Sequence, residues 1–256
     1  MSLQFIIGSS GIGKTHYACE QIIRESMENP QHLYYIIVPE QFTMQTQKNV
    51  VEMHPGKGIL NIDVLSFQRL AYRIFEETGG AREVLLDDTG KSMVLQKLVQ
   101  QHRKNLPYLG SQMNKPGYLD EVKSLISEFM QYDIREEELQ DMLGKTGEDS
   151  LLHMKMQDVG VLYQAFLQYL EGHYMTGEGV MDALKKAIPF SDKLKKSVLL
   201  LDGFTGFTPV QMNVIRELLN VCDKVLVTVT MDAGEDPLQM GKPHQLFYMS
   251  RKMIHT

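Results

Sequence analysis

Gly8-Ser9-Ser10-Gly11-Ile12-Gly13-Lys14-Thr15 satisfies the pattern G-x4-G-K-[ST] in full. A short apolar run over residues 3–7 precedes it, and a helical pattern over 15–26 comes after it, closed by Asn29-Pro30. Strand, glycine-rich loop and helix in that order are the context a phosphate-binding loop requires. Glycines let successive backbone N–H groups turn inward around phosphate oxygens, and the helix N-terminus adds partial positive charge. In such a loop Lys14 reaches the β- and γ-phosphates of ATP, and the Thr15 hydroxyl ligates Mg²⁺. The bland alternative is a glycine-rich turn that matches by chance.

Outward from the loop, strands and helices alternate. Residues 33–38, Leu-Tyr-Tyr-Ile-Ile-Val, are continuously apolar and stop at Pro39, the pattern of a strand covered on both faces in a parallel sheet. Residues 59–65 read as a third strand, and Ser66 caps a helix that ends at Gly79-Gly80. From 88 to 187 nearly everything follows helical spacing, with apolar stripes at Tyr118, Val122, Leu125, Ile126 and Phe129 and at Leu152, Met156, Val159, Leu162, Phe166 and Leu170. The methionines there are read as core filling rather than an adaptable groove. Strands resume at Ser197–Leu201 and Lys224–Thr230, around a helix opened by Thr208-Pro209-Val210-Gln211. No terminal element is evident beyond a turn-rich stretch, and the chain reads as an N-terminal fragment of a longer protein. The expected fold is therefore α/β: a RecA-like P-loop domain with a parallel sheet over 1–80 plus 190–256, interrupted by an all-helical insertion over 81–189.

Composition narrows the function classes. The 256 residues carry a net charge of −6, which argues against a generally basic nucleic-acid-coating protein. Residues 82–171 hold ten Lys/Arg against fifteen Asp/Glu, so most of the excess lies in the helical stretch. Lys185, Lys186, Lys193, Lys195 and Lys196 form a local basic run, read as a solvated helix end and loop. No window approaches 18 consecutive apolar residues, and the N-terminus lacks the features of a signal peptide, so no membrane partner is expected. Cys19 and Cys222 are distant thiols, which makes a reducing cytoplasm the expected location.

A phosphate loop needs an acidic partner at the end of a neighbouring strand to hold the metal's water shell. Asp202, after Val198-Leu199-Leu200-Leu201, fits that role, although a plain strand-end carboxylate is the competing reading. Hydrolysing sites commonly place a second carboxylate next, to orient the attacking water; here that position is Gly203. Without such a base, hydrolysis loses roughly two to four orders of magnitude.

Several segments then resemble superfamily 1 helicases. Asp202-Gly203-Phe204-Thr205-Gly206-Phe207-Thr208-Pro209-Val210-Gln211 is similar to D-E-x-Q-D-x-x-x-x-Q, keeping the first Asp and last Gln. Val64-Leu65-Ser66-Phe67-Gln68-Arg69-Leu70-Ala71 resembles the segment bordering the single-stranded DNA path, and Val38-Pro39-Glu40-Gln41-Phe42-Thr43 falls where those helicases have a DNA-contacting loop. In combination these segments most resemble the N-terminal region of the AddB family, B subunits of bacterial AddAB helicase–nucleases. The resemblance covers essentially the whole chain, strongest at both ends. It implies a module with degenerate motor motifs beside an AddA-type motor subunit in a heterodimer, processing double-strand breaks and recognising Chi on single-stranded DNA. The family's nuclease and iron–sulfur cluster belong to a C-terminal region absent from this chain. Carried over residue by residue, Gln41, Phe42, Thr43, Ser66, Phe67 and Arg69 are the candidate DNA contacts, with Phe42 or Phe67 stacking on a base and Arg69 on a phosphate. Phe67 is equally readable as core, and Arg69 as a solvated helix residue.

Two other classes stay open. A small P-loop kinase would use the helical region as a substrate lid, although Arg82, Arg103 and Arg135 lie in its acidic stretch. A structural partner module would keep the loop as a relic that binds no nucleotide.

Overall fold

A computed structural model describes residues 2–80, 83–113, 115, 117–147 and 150–255. The chain divides into two compact units, Met1–Gly80 with Met181–Thr256, and Ala81–Val180.

In the first unit, β1 (Ser2–Gly8), α1 (Lys14–Glu28), β2 (Leu33–Ile37), α2 (Thr43–Met53), β3 (Ile62–Leu65) and α3 (Phe67–Thr78) succeed one another. Ala18, Cys19, Ile22 and Ile23 put one apolar face of α1 on the sheet, where they share a buried cluster with Tyr34, Ile36, Val64, Leu200 and Leu226. The Ser66 side chain accepts the Arg69 N–H to start α3, and Gly79 in the left-handed conformation ends it.

The second unit holds β4 (Val84–Leu86), α4 (Asp88–His102), α5 (Leu109–Gln112), α6 (Tyr118–Gln131), α7 (Glu136–Gly144), α8 (Leu151–Leu170) and β5 (Tyr174–Thr176). Its core gathers Leu95, Leu98, Ile126, Phe129, Leu162 and Phe166. Phe129 and Tyr163 meet edge to face, with centroids 5.4 Å apart. Met113, Met130 and Met156 pack against this core, whereas Met93 is 66% exposed. The insertion is not all-helical: β4 and β5 pair in parallel. Three-residue strands are too short to leave a period in the sequence.

The chain continues through α9 (Gly179–Ala187), β6 (Ser197–Leu201), α10 (Pro209–Val221), β7 (Lys224–Thr230) and α11 (Tyr248–His255). Thr208 and Gln211 close a capping box on α10, with Pro209 at its first turn. The terminal helix α11 corrects the expectation that no element lies beyond the turn-rich stretch. The third strand also starts later than the apolar run suggested, at Ile62.

The five-stranded sheet is entirely parallel, in the order β1-β7-β6-β2-β3. Register pairs Gly8 with Thr230 and Leu201 with Val227, so the loop after β1 and the turn after β6 share the carboxyl end of the sheet. That end is where open parallel sheets hold ligands.

Candidate functional site: a glycine-rich loop facing an acidic strand end

The loop between β1 and α1 is shaped by backbone. Gly11 and Gly13 have φ of 78° and 95°, in the left-handed region that glycine occupies without penalty. Gly13 is the N-cap of α1; no side chain caps that terminus, and no acidic residue lies in its first turn. The orphan N–H groups and the positive end of α1 are thus left for an anion. Lys14 Nζ reaches back across the loop and donates to Ser9 O at 2.8 Å.

The Thr15 hydroxyl lies 3.0 Å from both carboxylate oxygens of Asp202. Asp202 is 4% exposed at the end of β6, and its N–H donates to Ile37 O. Thr228, from β7 between β1 and β6, donates to Asp202 Oδ1 at 2.7 Å and accepts the Gly203 N–H at 3.4 Å. The sequence reading missed Thr228. Its only signal is alternation along β7, and that does not mark a hydroxyl as a partner for a residue 26 positions away. Cys19, one turn along α1, has its thiol pushed up to about 12, first by burial and then by the charge of Asp202. Burial raises the Cys222 thiol to about 11, so both cysteines are protonated, unreactive groups.

A hydroxyl and a carboxylate in contact are hard oxygen donors of the kind Mg²⁺ takes. Among the described residues no cluster of three or more His, Cys, Asp or Glu could hold a metal by itself. A cation here would therefore complete its shell from phosphate oxygens and water, as Mg²⁺ does in nucleotide sites. A cavity of about 570 Å³ opens against Gly11, Gly13, Lys14 and Thr15, with Thr46, Asn49 and Glu52 of α2 on its other side.

Next to Asp202, Gly203 is exposed and has φ of 77°. Its α-carbon faces the segment after β2: a β-carbon there would sit 3.7 Å from Pro39 Cδ and 4.0 Å from Phe42 Cδ2. The acidic turn and the 39–43 segment are thus neighbours. Gln41 is exposed and Phe42 is 48% exposed. Thr43 is buried and donates to Glu40 O. Ser66 is buried as the cap of α3, and Phe67 is buried against Phe204 and Phe207, with centroids at 5.6 and 6.4 Å. Arg69 is exposed and pairs with Glu40 at 3.4 Å. Of the six candidate DNA contacts, then, Gln41, Phe42 and Arg69 present surface, and Thr43, Ser66 and Phe67 lie beneath. Of the arginines a kinase lid would need, Arg135 pairs with Asp133 at 3.7 Å and Arg103 begins a 3-10 turn; Arg82 lies outside the described residues.

Among the described residues no helix is long and apolar enough to cross a membrane. The profile of the family described as "ADDB, N-terminal" matches residues 5–256. The B subunit of the ATP-dependent helicase/deoxyribonuclease of Lachnoclostridium phytofermentans is 46% identical over 253 residues, covering 99% of this chain and 22% of the relative. Proteins of the same description from Alkaliphilus metalliredigens and Caldanaerobacter subterraneus are 32% and 33% identical, over 98% of this chain and 22% and 21% of theirs. The chain therefore spans about a fifth of the length of these relatives. On a match through 252 of its 256 residues, this chain belongs to the AddB N-terminal family.

Proposed function

We propose that this chain is the nucleotide-binding, helicase-like module of a subunit of a DNA double-strand-break-processing helicase–nuclease. It is read as a RecA-like domain that binds Mg-ATP through Gly8–Thr15, hydrolyses it poorly, and contacts single-stranded DNA beside an AddA-type motor subunit. The observation that carries the reading is the pairing of Thr15 with Asp202 next to a glycine, not a carboxylate, at 203.

Each residue then has a definite task. The loop N–H groups and Lys14 hold the phosphates, and Lys14 gives up Ser9 O to do so. Asp202 and Thr15 hold the cation, which when bound screens the phosphate charge. The hydroxyl of Thr228, which donates to Asp202 Oδ1, keeps that carboxylate oriented. The position after Asp202 is Gly203 rather than a carboxylate that could take a proton from an attacking water, so ATP is bound but turned over slowly.

The names of the relatives support an ATP-dependent helicase and deoxyribonuclease context, and their designation as one subunit supports a partner. The exposed Phe42 and the Glu40–Arg69 pair, beside the turn after Asp202, support a single-strand contact coupled to the nucleotide. Steady-state ATP hydrolysis, with and without single-stranded DNA, tests the reading. Turnover well below one per second is expected, against typical enzyme rates of about 10 per second. Turnover at tens per second overturns it.

A further inference from the structure

The basic run from Lys185 to Lys196 sits on a braced pair of turns rather than a loose loop. Lys185 and Lys186 close α9, and two 3-10 turns follow, Ile188–Phe190 and Leu194–Lys196, before the chain enters β6. Glu77 of α3 fixes the step between them. Its carboxylate accepts the Ser191 hydroxyl at 2.6 Å and the N–H groups of Asp192 and Lys193 at 2.9 and 3.0 Å. The Ser191 oxygen in turn accepts the Leu194 N–H at 3.2 Å, and Ile188 and Leu194 are buried beneath the turns. A backbone tied down on folding presents its side chains with little further ordering cost on binding.

What the turns present is cationic and aromatic. Lys186, Lys193, Lys195 and Lys196 are exposed, and Phe190 among them is 74% exposed. Residues 182–197 hold five Lys against two Asp, in a chain whose net charge is −6. Asp192 is taken up by Lys195 at 2.8 Å, and Glu77 by the brace. Asp223, exposed at the foot of β7, is joined to Ser197 through its backbone N–H. Among the described residues, Lys186, Lys193 and Lys196 have no carboxylate partner and the Phe190 ring has no aromatic one. Lysines and an open ring are the pairing that single-stranded nucleic acid uses, with phosphates on the cations and a base on the ring face. An acidic protein segment is served by the lysines alone, and a duplex, its bases already stacked, meets them only with phosphates.

We propose that the turns between Lys186 and Lys196 form a second contact for single-stranded nucleic acid, with Lys186, Lys193 and Lys196 on phosphates and Phe190 under a base. Lys196 precedes the amino end of β6, whereas Asp202 and the 39–43 segment stand at the carboxyl end of the sheet. The two ends are separated by roughly 20 Å along β6. A strand held here is kept apart from the Phe42 surface, so one chain engages two segments of nucleic acid. The inference rests neither on nucleotide binding nor on the contact at Phe42.

Fluorescence anisotropy of a labelled oligothymidylate tests it, in a background of Phe42→Ala with Arg69→Ala that removes the contact at the other end of the sheet. Phe190→Ala is expected to weaken the remaining binding about 10-fold. Lys193→Ala with Lys196→Ala is expected to weaken it too, and to lower the slope of log affinity against log salt by about 1.4. All three side chains are exposed, so the melting temperature should hold in these variants. Irradiation of a strand carrying 5-iodouracil should attach it to the peptide that contains Phe190. Loss of all binding in the background protein overturns the proposal, as does unchanged affinity in both further variants or crosslinking confined to other peptides. If polyglutamate competes as well as oligothymidylate and Phe190→Ala has no effect, the surface takes an acidic protein and the proposal falls. Equal affinity for a blunt duplex, again insensitive to Phe190→Ala, overturns it in the same way.

Discussion

Thr228 Oγ1 donates a 2.7 Å hydrogen bond to Asp202 Oδ1, across from β7 to the end of β6. Asp202 is 4% exposed, and the Thr15 hydroxyl is its other side-chain donor. The carboxylate that would hold a cation is therefore kept in place by two hydroxyls from neighbouring elements.

Thr228→Val keeps the side-chain shape and removes the donor, leaving a buried carboxylate short of a partner. A loss of about 1–3 kcal/mol in chemical denaturation is expected, with Thr228→Ser recovering most of it. If Thr228→Val unfolds at the wild-type midpoint, the hydroxyl does not hold Asp202.

Gly203 carries φ of 77°, and a β-carbon there meets only ordinary contacts with Pro39 and Phe42. Space is available; the backbone is what resists. Gly203→Ala should cost about 1–2 kcal/mol, read from the urea midpoint. The same strain applies to any carboxylate put back at this position, so Gly203→Glu should be less stable and should not restore fast turnover. A neutral Gly203→Ala would remove the backbone as the reason for glycine here.

Lys91 and Glu178 form an ion pair inside the helical unit, with Lys91 Nζ 2.9 Å from both carboxylate oxygens and the side chains only 8% and 10% exposed. Burial pushes the Glu178 carboxyl up, but the hydrogen bond and charge of Lys91, with backbone and Thr176 donors, outweigh it and hold it below 4.5. A carboxyl lowered on folding stabilises fully above its unfolded pKa and loses that contribution as pH falls through the folded value. Lys91→Met strands the carboxylate and should cost roughly 3–5 kcal/mol near pH 7. The variant should gain stability relative to wild type as pH falls, because its unpaired Glu178 can protonate. Parallel pH profiles for the two proteins would contradict the pairing.

Phe42 is half exposed beside the turn after Asp202, and Phe67 is buried among Phe204 and Phe207. Phe42→Ala should weaken binding of a single-stranded oligonucleotide by about 1–3 kcal/mol, measured by fluorescence anisotropy at fixed salt. Phe67→Ala should act on stability instead. Unchanged affinity in Phe42→Ala removes this residue from the DNA contact.

The sheet was legible because β2, β6 and β7 are buried runs too apolar for any exposed element, and because the loop pattern demands a helix after β1. Thr15 and Asp202 were legible for the same reason: each stands at a position set by a motif. α2 left no signal, since only Thr43, Thr46 and Val50 are buried along it and its outer face is polar. β4 and β5 are too short for periodicity. Ser66 was legible as the cap of α3, but the burial of Ser66 and Thr43, each held by a local hydrogen bond, outranks their position in a DNA-like motif and was not. Thr228 became visible only through the register that sets β7 beside β6.

Calorimetric titration of Mg-ATP into the wild-type chain and Lys14→Ala is the sharpest test of the nucleotide site. Saturable binding to the wild type is expected, with a melting temperature that rises with ligand, and neither effect in Lys14→Ala. Identical titrations, whether both bind or neither does, would contradict the assignment of the Gly8–Thr15 loop as a working nucleotide site.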